Sequence, residues 1–123
     1  MKLLIVAVAL VAAAAAAVYD VYPTKYDDLD IDAILANRRL FDNYLQCLLK
    51  KGSCTEEGAL LRDIVPDALL TGCKKCNEHQ KKSTEKVIRF LIKERKSDWD
   101  ELLKEYDPRG EFQKQYAHYL EEL

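Results

Sequence analysis

Excess positive charge, glycine, proline and histidine are all in short supply in this chain, and each shortage removes a class of function. Its 123 residues carry 19 Lys+Arg against 21 Asp+Glu, a formal net charge of −2. Nucleic-acid binding calls for a concentrated positive footprint, which this balance does not supply. Four glycines and three prolines are too few for a low-complexity or loop-dominated chain. No segment alternates apolar and polar residues with period two for long enough to make a strand. The two histidines, His79 and His118, lie far apart, and the three serines form no recognisable nucleophile motif. Neither catalysis nor a His-based metal site is expected. No Asn-x-Ser/Thr triplet occurs, so N-glycosylation is not expected.

The longest apolar run, Leu3 to Val18, is sixteen residues, short of the roughly twenty needed to span a bilayer. Lys2 precedes it, and Ala15-Ala16-Ala17 offers the small-x-small pattern that signal peptidase accepts. Residues 1–17 therefore read as a signal peptide. Residues 18–123 read as one secreted, extracellular domain of about 106 residues, a length suited to a single core. With Lys2 removed, 18 basic side chains face 21 acidic ones.

Beyond the leader the apolar residues recur with helical period. Asp30 can cap a short helix over Ile31 to Ala36, and the surrounding carboxylates suit a helix N-terminus. From Arg38, the residues Leu40, Phe41, Tyr44, Leu45, Leu48 and Leu49 form a broad stripe that Lys51-Gly52 ends. Thr55 can cap the next helix, whose buried side holds Leu60, Leu61, Ile64 and Val65. Pro66 disfavours helix at Val65 and suits the first turn of a new one. That new helix would carry Ala68, Leu69 and Leu70 inward and run on through the second pair of cysteines. After Ser83, Val87, Ile88, Leu91 and Ile92 make another stripe. Ser97 is the expected cap of a helix bearing Trp99, Leu102, Leu103 and Tyr106. Asp107-Pro108-Arg109-Gly110 reads as a turn, and Phe112, Tyr116, Tyr119 and Leu120 mark a last helix. The expectation is an all-α domain of six or seven short helices.

Four cysteines, Cys47, Cys54, Cys73 and Cys76, are an even number in a small secreted domain, which favours structural disulfides. Zinc would need further ligands at short spacing, and only one C-x-x-C is present. A thioredoxin-like dithiol sits at the start of a helix after a strand, and no β-α-β pattern exists here. Pairing stays open, since four cysteines allow three connectivities. Local pairing would close rings of eight and four residues, worth roughly 2.5 and 1.8 kcal/mol by chain entropy, and crossed pairings would be worth more.

The residues resemble a known family at this point. The spacing C-x6-C-x18-C-x2-C, KYDDLDIDAILANRRL at 25–40, CLLKKGSCTEEG at 47–58, PDALLTGCKKCNEHQK at 66–81 and WDELLKEYDPRG at 99–110 are similar to those of the insect chemosensory proteins. That resemblance implies a helical fold around a hydrophobic channel, disulfides Cys47–Cys54 and Cys73–Cys76, long-chain apolar ligands and no catalysis. It also implies pocket positions at Tyr44, Trp99 and Tyr116, with Tyr26 near the N-terminal turn. Phe41 departs from the pattern, where a smaller aliphatic residue is expected.

The aromatic residues lie on helical stripes, where rings supply apolar surface and a hydroxyl together. The aliphatic residues Ile34, Leu45, Leu48, Leu69, Ile88, Leu91 and Leu103 are expected to be lining or core. A dry pocket of about 300 Å3 would cost on the order of 7 kcal/mol, against a net domain stability of roughly 5–15 kcal/mol. Partial collapse or routine occupancy, and broad ligand choice, follow. From Lys74 to Lys96 nine basic residues stand against three glutamates. That is a solvated face, or a weak contact for an anionic membrane or an acidic partner. The leading reading is a monomeric carrier of long-chain hydrophobic small molecules or lipids, such as fatty acids, alcohols, esters and semiochemicals, that needs no cofactor and binds no nucleic acid. The alternatives are a secreted interaction protein in development or tissue repair and, remotely, a redox or zinc module.

Overall fold

The computed structural model describes residues 20–117 and Glu121. The leader at 1–17, together with His118, Tyr119 and Leu120, lies outside the described residues. Six helices follow a short N-terminal segment: α1 (Ile31–Ala36), α2 (Arg38–Leu48), α3 (Glu56–Thr71), α4 (Glu78–Glu94), α5 (Lys96–Tyr106) and α6 (Glu111–Gln115). No strand is present among the described residues.

Side-chain caps set most helix starts, because the first backbone N–H groups of a helix lack partners within it. Asp30 accepts from the Ala33 N–H at 3.1 Å, Asn37 from Leu40 at 3.1 Å, and Thr55 from Gly58 at 3.2 Å. Asn77 and Gln80 form a capping box at α4, so that helix begins before the expected Ser83.

Four local expectations fail. The chain stays helical through Pro66. Pro66 lies on the exposed side of α3, where water can take the Arg62 carbonyl that a proline nitrogen leaves unpaired. That helix then ends at Gly72, in the left-handed region at φ +65°, so the C-x-x-C is a turn outside it. Leu70 points outward, 71% exposed. Ser97 is not a cap: α5 starts at Lys96, directly after Arg95. The Arg95 guanidinium bonds Asp42 of α2 at 2.6 Å and Asp98 at 2.7 Å, and lies 5.1 Å from the centre of the Phe41 ring. This tertiary anchor makes the α4–α5 corner.

Both disulfides are local, Cys47–Cys54 and Cys73–Cys76, with no free cysteine. All four sulfurs are thereby committed, which excludes a thiolate metal site or a resting dithiol. Phe41, Leu45, Leu49, Ile88, Leu91, Trp99 and Phe112 form the buried core, at i, i+4 and i+8 on α2 and facing residues of α4, α5 and α6. Phe41 meets Phe90 edge to face at 5.2 Å. Its bulk is absorbed by the core, away from the cavity described next.

Candidate functional site

The longest apolar face does not end in that core. α3 carries Leu60, Leu61, Ile64, Val65, Ala68 and Leu69, yet Gly58 is its one buried residue. Leu61 is 42% exposed and the others are half-buried. Those side chains line a cavity of about 350 Å3. α2 adds Tyr44 and Leu48, α4 adds Val87, Ile88 and Leu91, and α5 adds Trp99, Leu102, Leu103 and Tyr106. The N-terminal segment contributes Tyr22, Pro23, Tyr26, Asp27, Leu29 and Ile31. A second hollow of similar volume, about 370 Å3 between Asp100, Lys104, Asp107 and Gln113, is polar and open. The apolar one is the candidate site because bound hydrocarbon needs surface removed from water.

Of the residues nominated from sequence, Tyr26, Tyr44, Leu48, Leu69, Ile88, Leu91, Trp99 and Leu103 lie on this wall. Ile34, Leu45 and Tyr116 do not. Leu45 is sealed in the core, and Ile34 packs against it. Tyr116 stacks on Phe112 with ring centres 5.0 Å apart and sets its hydroxyl against Gly72. Sequence reasoning missed Tyr22, Leu29, Ile31, Glu57 and the use of the whole α3 face. The available signal was that α3 has more apolar positions than one contact stripe needs.

Polar groups at the wall are paired in a consistent way. The hydroxyl of Tyr44 donates to Glu57 Oε1 at 3.0 Å, Tyr22 to Asp67 Oδ2 at 2.6 Å, and Tyr106 to the Leu48 carbonyl at 2.6 Å. Gln80 Nε2 donates to Asp27 Oδ1 at 3.0 Å and Asn77 Nδ2 to Asp27 Oδ2 at 2.8 Å, which ties the N-terminal segment to the start of α4. The disulfide of Cys47 packs on Gly58, where an added Cβ would lie 3.2 Å from Sγ.

Burial pushes the Tyr44 phenol up to about 12 from an ordinary 10.0, with the Glu57 carboxylate reinforcing the shift. Burial raises Tyr22 too, helped by Asp67, and raises Tyr106. Each phenol holds its proton more tightly folded than unfolded. Their contribution is therefore complete below pH 10 and is lost as pH climbs through the folded value. Alkaline titration should show tyrosinate absorbance rising together with loss of helical circular dichroism above pH 10.0. Tyr44→Phe should make that loss less steep; an identical profile would dissociate Tyr44 from it.

Many of the basic residues between Lys74 and Lys96 are already paired. Lys75 meets Asp67 at 3.1 Å, Lys81 meets Glu78 at 3.6 Å, Lys86 meets Asp32 at 2.9 Å, Arg89 meets Glu85 at 3.1 Å and Lys96 meets Asp100 at 2.9 Å. Among the described residues no helix is long and apolar enough to cross a membrane, and no group of three metal-ligating side chains occurs.

Comparison with known proteins agrees with this geometry. Residues 22–114 match the insect pheromone-binding family A10/OS-D. The chain is 47% identical over 97 residues to ejaculatory bulb-specific protein 3 of Drosophila melanogaster, covering 79% of this chain and 77% of that one. It is 43% identical over 123 residues to the allergen Tha p 1 of Thaumetopoea pityocampa, covering 100% and 98%. A chemosensory protein solved in complex with bromo-dodecanol superposes with a TM-score of 0.73 at 44% identity, over 77% of this chain and 95% of that one. The match spans the helices, both disulfides and the cavity wall, and the chain belongs to the insect pheromone-binding family A10/OS-D, the chemosensory proteins.

Proposed function

We propose that this protein is a secreted carrier that takes up long-chain hydrophobic small molecules in the cavity between α3, α4 and α5. The observation that carries the reading is the half-buried apolar face of α3, turned toward a cavity of about 350 Å3 rather than into the core. A dry, rigid void of that size would cost on the order of 8 kcal/mol. Binding an alkyl chain removes that penalty, and each buried methylene adds about 0.8 kcal/mol before association costs. Micromolar affinity, about −8 kcal/mol, is within reach of a chain of about twelve to eighteen carbons. Residues 1–17 direct export and are removed from the mature chain. The wall groups are placed to hold and orient a ligand, and the role is transport without catalysis. The solved relative bound to bromo-dodecanol supports the same class of ligand.

Trp99 is the only tryptophan and sits on the wall. Titration with long-chain alcohols or esters should give a saturable change in its fluorescence and a higher Tm, since ligand binds the folded state. Tyr44→Ala should weaken binding, while Tyr116→Ala should leave the affinity close to wild type. No saturable response across such a panel, from a protein with native circular dichroism, would overturn the carrier reading.

A further inference from the structure

Among the described residues the charged side chains on the cavity wall are carboxylates: Asp27 and Glu57 line it, no lysine or arginine does, and the imidazole of His79 is solvent-exposed. Resting on the carrier reading above, we infer that the site selects long-chain ligands with an uncharged head and rejects chain-matched carboxylates, with Glu57 as the discriminating residue.

Several of the wall's donors are spent on internal acceptors. The hydroxyls of Tyr44, Tyr22 and Tyr106 donate to Glu57, Asp67 and the Leu48 carbonyl. The Gln80 amide donates to Pro23 O and Asp27, and the Thr84 hydroxyl to Gln80 O. The wall carboxylate oxygens can accept further hydrogen bonds. A hydroxyl head has a proton to offer them, whereas a carboxylate can only accept.

The helix ends that reach the cavity give an anion no better reception. A helix N-terminus attracts negative charge through its unpaired N–H groups. In the first turn of α3, Glu56 and Glu57 already answer the dipole and Thr55 takes the Gly58 N–H. In α4 the Gln80 N–H donates to Asn77 Oδ1 at 2.7 Å, and the Asn77 N–H to Gln80 Oε1 at 3.0 Å. The lysines nearest the wall already have carboxylate partners: Lys25, 5.4 Å from the centre of the Tyr26 ring, meets Glu56 at 2.8 Å; Lys50, 5.9 Å from the centre of the Tyr106 ring, meets Glu105 at 2.8 Å; and Lys75 meets Asp67 at 3.1 Å. A carboxylate head would thus lose its water, gain no cation and face Glu57. Burial of an unpaired charge on those terms is costly. Glu57 itself is held in the ionised form, first by a backbone N–H and then by the Tyr44 hydroxyl.

The test uses three twelve-carbon probes at neutral pH: 1-dodecanol, methyl dodecanoate and sodium dodecanoate below its micelle concentration. Dodecanoate should bind at least about tenfold more weakly than dodecanol, and the uncharged ester should fall nearer the alcohol. Glu57→Gln keeps the size and an acceptor for Tyr44 while removing the charge. It should tighten dodecanoate by about threefold or more and raise the affinity for dodecanoate relative to dodecanol. Tyr44→Phe leaves the charge in place and should keep the preference for alcohol over acid. The inference fails if wild-type protein binds acid and alcohol equally, if Glu57→Gln leaves their ratio unchanged, or if Tyr44→Phe abolishes it. In each of those cases the carrier reading survives. Absence of dodecanol binding removes the carrier reading, and this inference with it.

Discussion

Leu45→Ala should destabilise the protein by about 3–4 kcal/mol, whereas Ile64→Ala should cost about 1 kcal/mol. Both replace a large aliphatic residue on a helix. Leu45 is 3% exposed and sits in the cluster with Phe41, Leu49, Ile88, Leu91, Trp99 and Phe112. Truncation there loses packing on every side and leaves a void that the Cys47–Cys54 link hinders α2 from closing. Ile64 has neighbours on one side and cavity on the other, so half of the loss is absent from the start. For a domain of this size the Leu45 variant should melt on the order of 15 °C or more below wild type. Ile64→Ala should instead show its effect in ligand affinity. Equal Tm losses would mean that the α3 face is ordinary core.

Gly72→Ala should destabilise by about 3 kcal/mol, more than its left-handed backbone alone explains. At Gly110, which shares the conformation with φ +69°, an added Cβ meets nothing nearer than Gln113 Nε2 at 4.0 Å. Gly110→Ala should therefore cost only the backbone part, about 1–2 kcal/mol. At Gly72 the same Cβ would fall 1.8 Å from the Tyr116 hydroxyl oxygen and 2.4 Å from Cζ. The ring is rigid and braced by Phe112, so α6 has to lift from the end of α3. Tyr116→Ala in the Gly72→Ala background should recover the steric share and leave the backbone share, a coupling that a double-mutant cycle reads directly. Additive effects in chemical denaturation would show that Tyr116 does not pack there.

The docking of α6 has a polar counterpart. Asp107 is buried, and its carboxylate accepts from the Phe112 N–H at 3.0 Å and the Gln113 N–H at 3.2 Å. The Asp-Pro-Arg-Gly motif was legible as a turn. That its first residue also caps the next helix from five positions away depended on how the turn closes.

Local physics explains which parts of this protein could be read in advance. Caps at Asp30 and Thr55 and the aliphatic stripes of α2, α4 and α5 are interactions within a few residues. They follow from residue type and spacing. Proline as a helix start gave way because Pro66 faces water and α3 is held on both sides of it. The supposed Ser97 cap gave way to Arg95, whose partner Asp42 is 53 residues distant and invisible to any local window.

Composition and periodicity by themselves determined an all-helical chain with paired cysteines, and motif resemblance added the local disulfides and the carrier class. Only the tertiary structure decided which apolar residues are core and which are wall. Leu45 and Leu48 belong to one stripe, three residues apart, yet the first is sealed and the second lines the cavity. Tyr44 and Tyr116 carry the same ring, and only the first reaches the site. Hydrophobicity drives a side chain out of water without specifying what it will touch. That depends on how the facing helices are spaced, and here the apolar face of α3 looks onto a cavity instead of a packed partner.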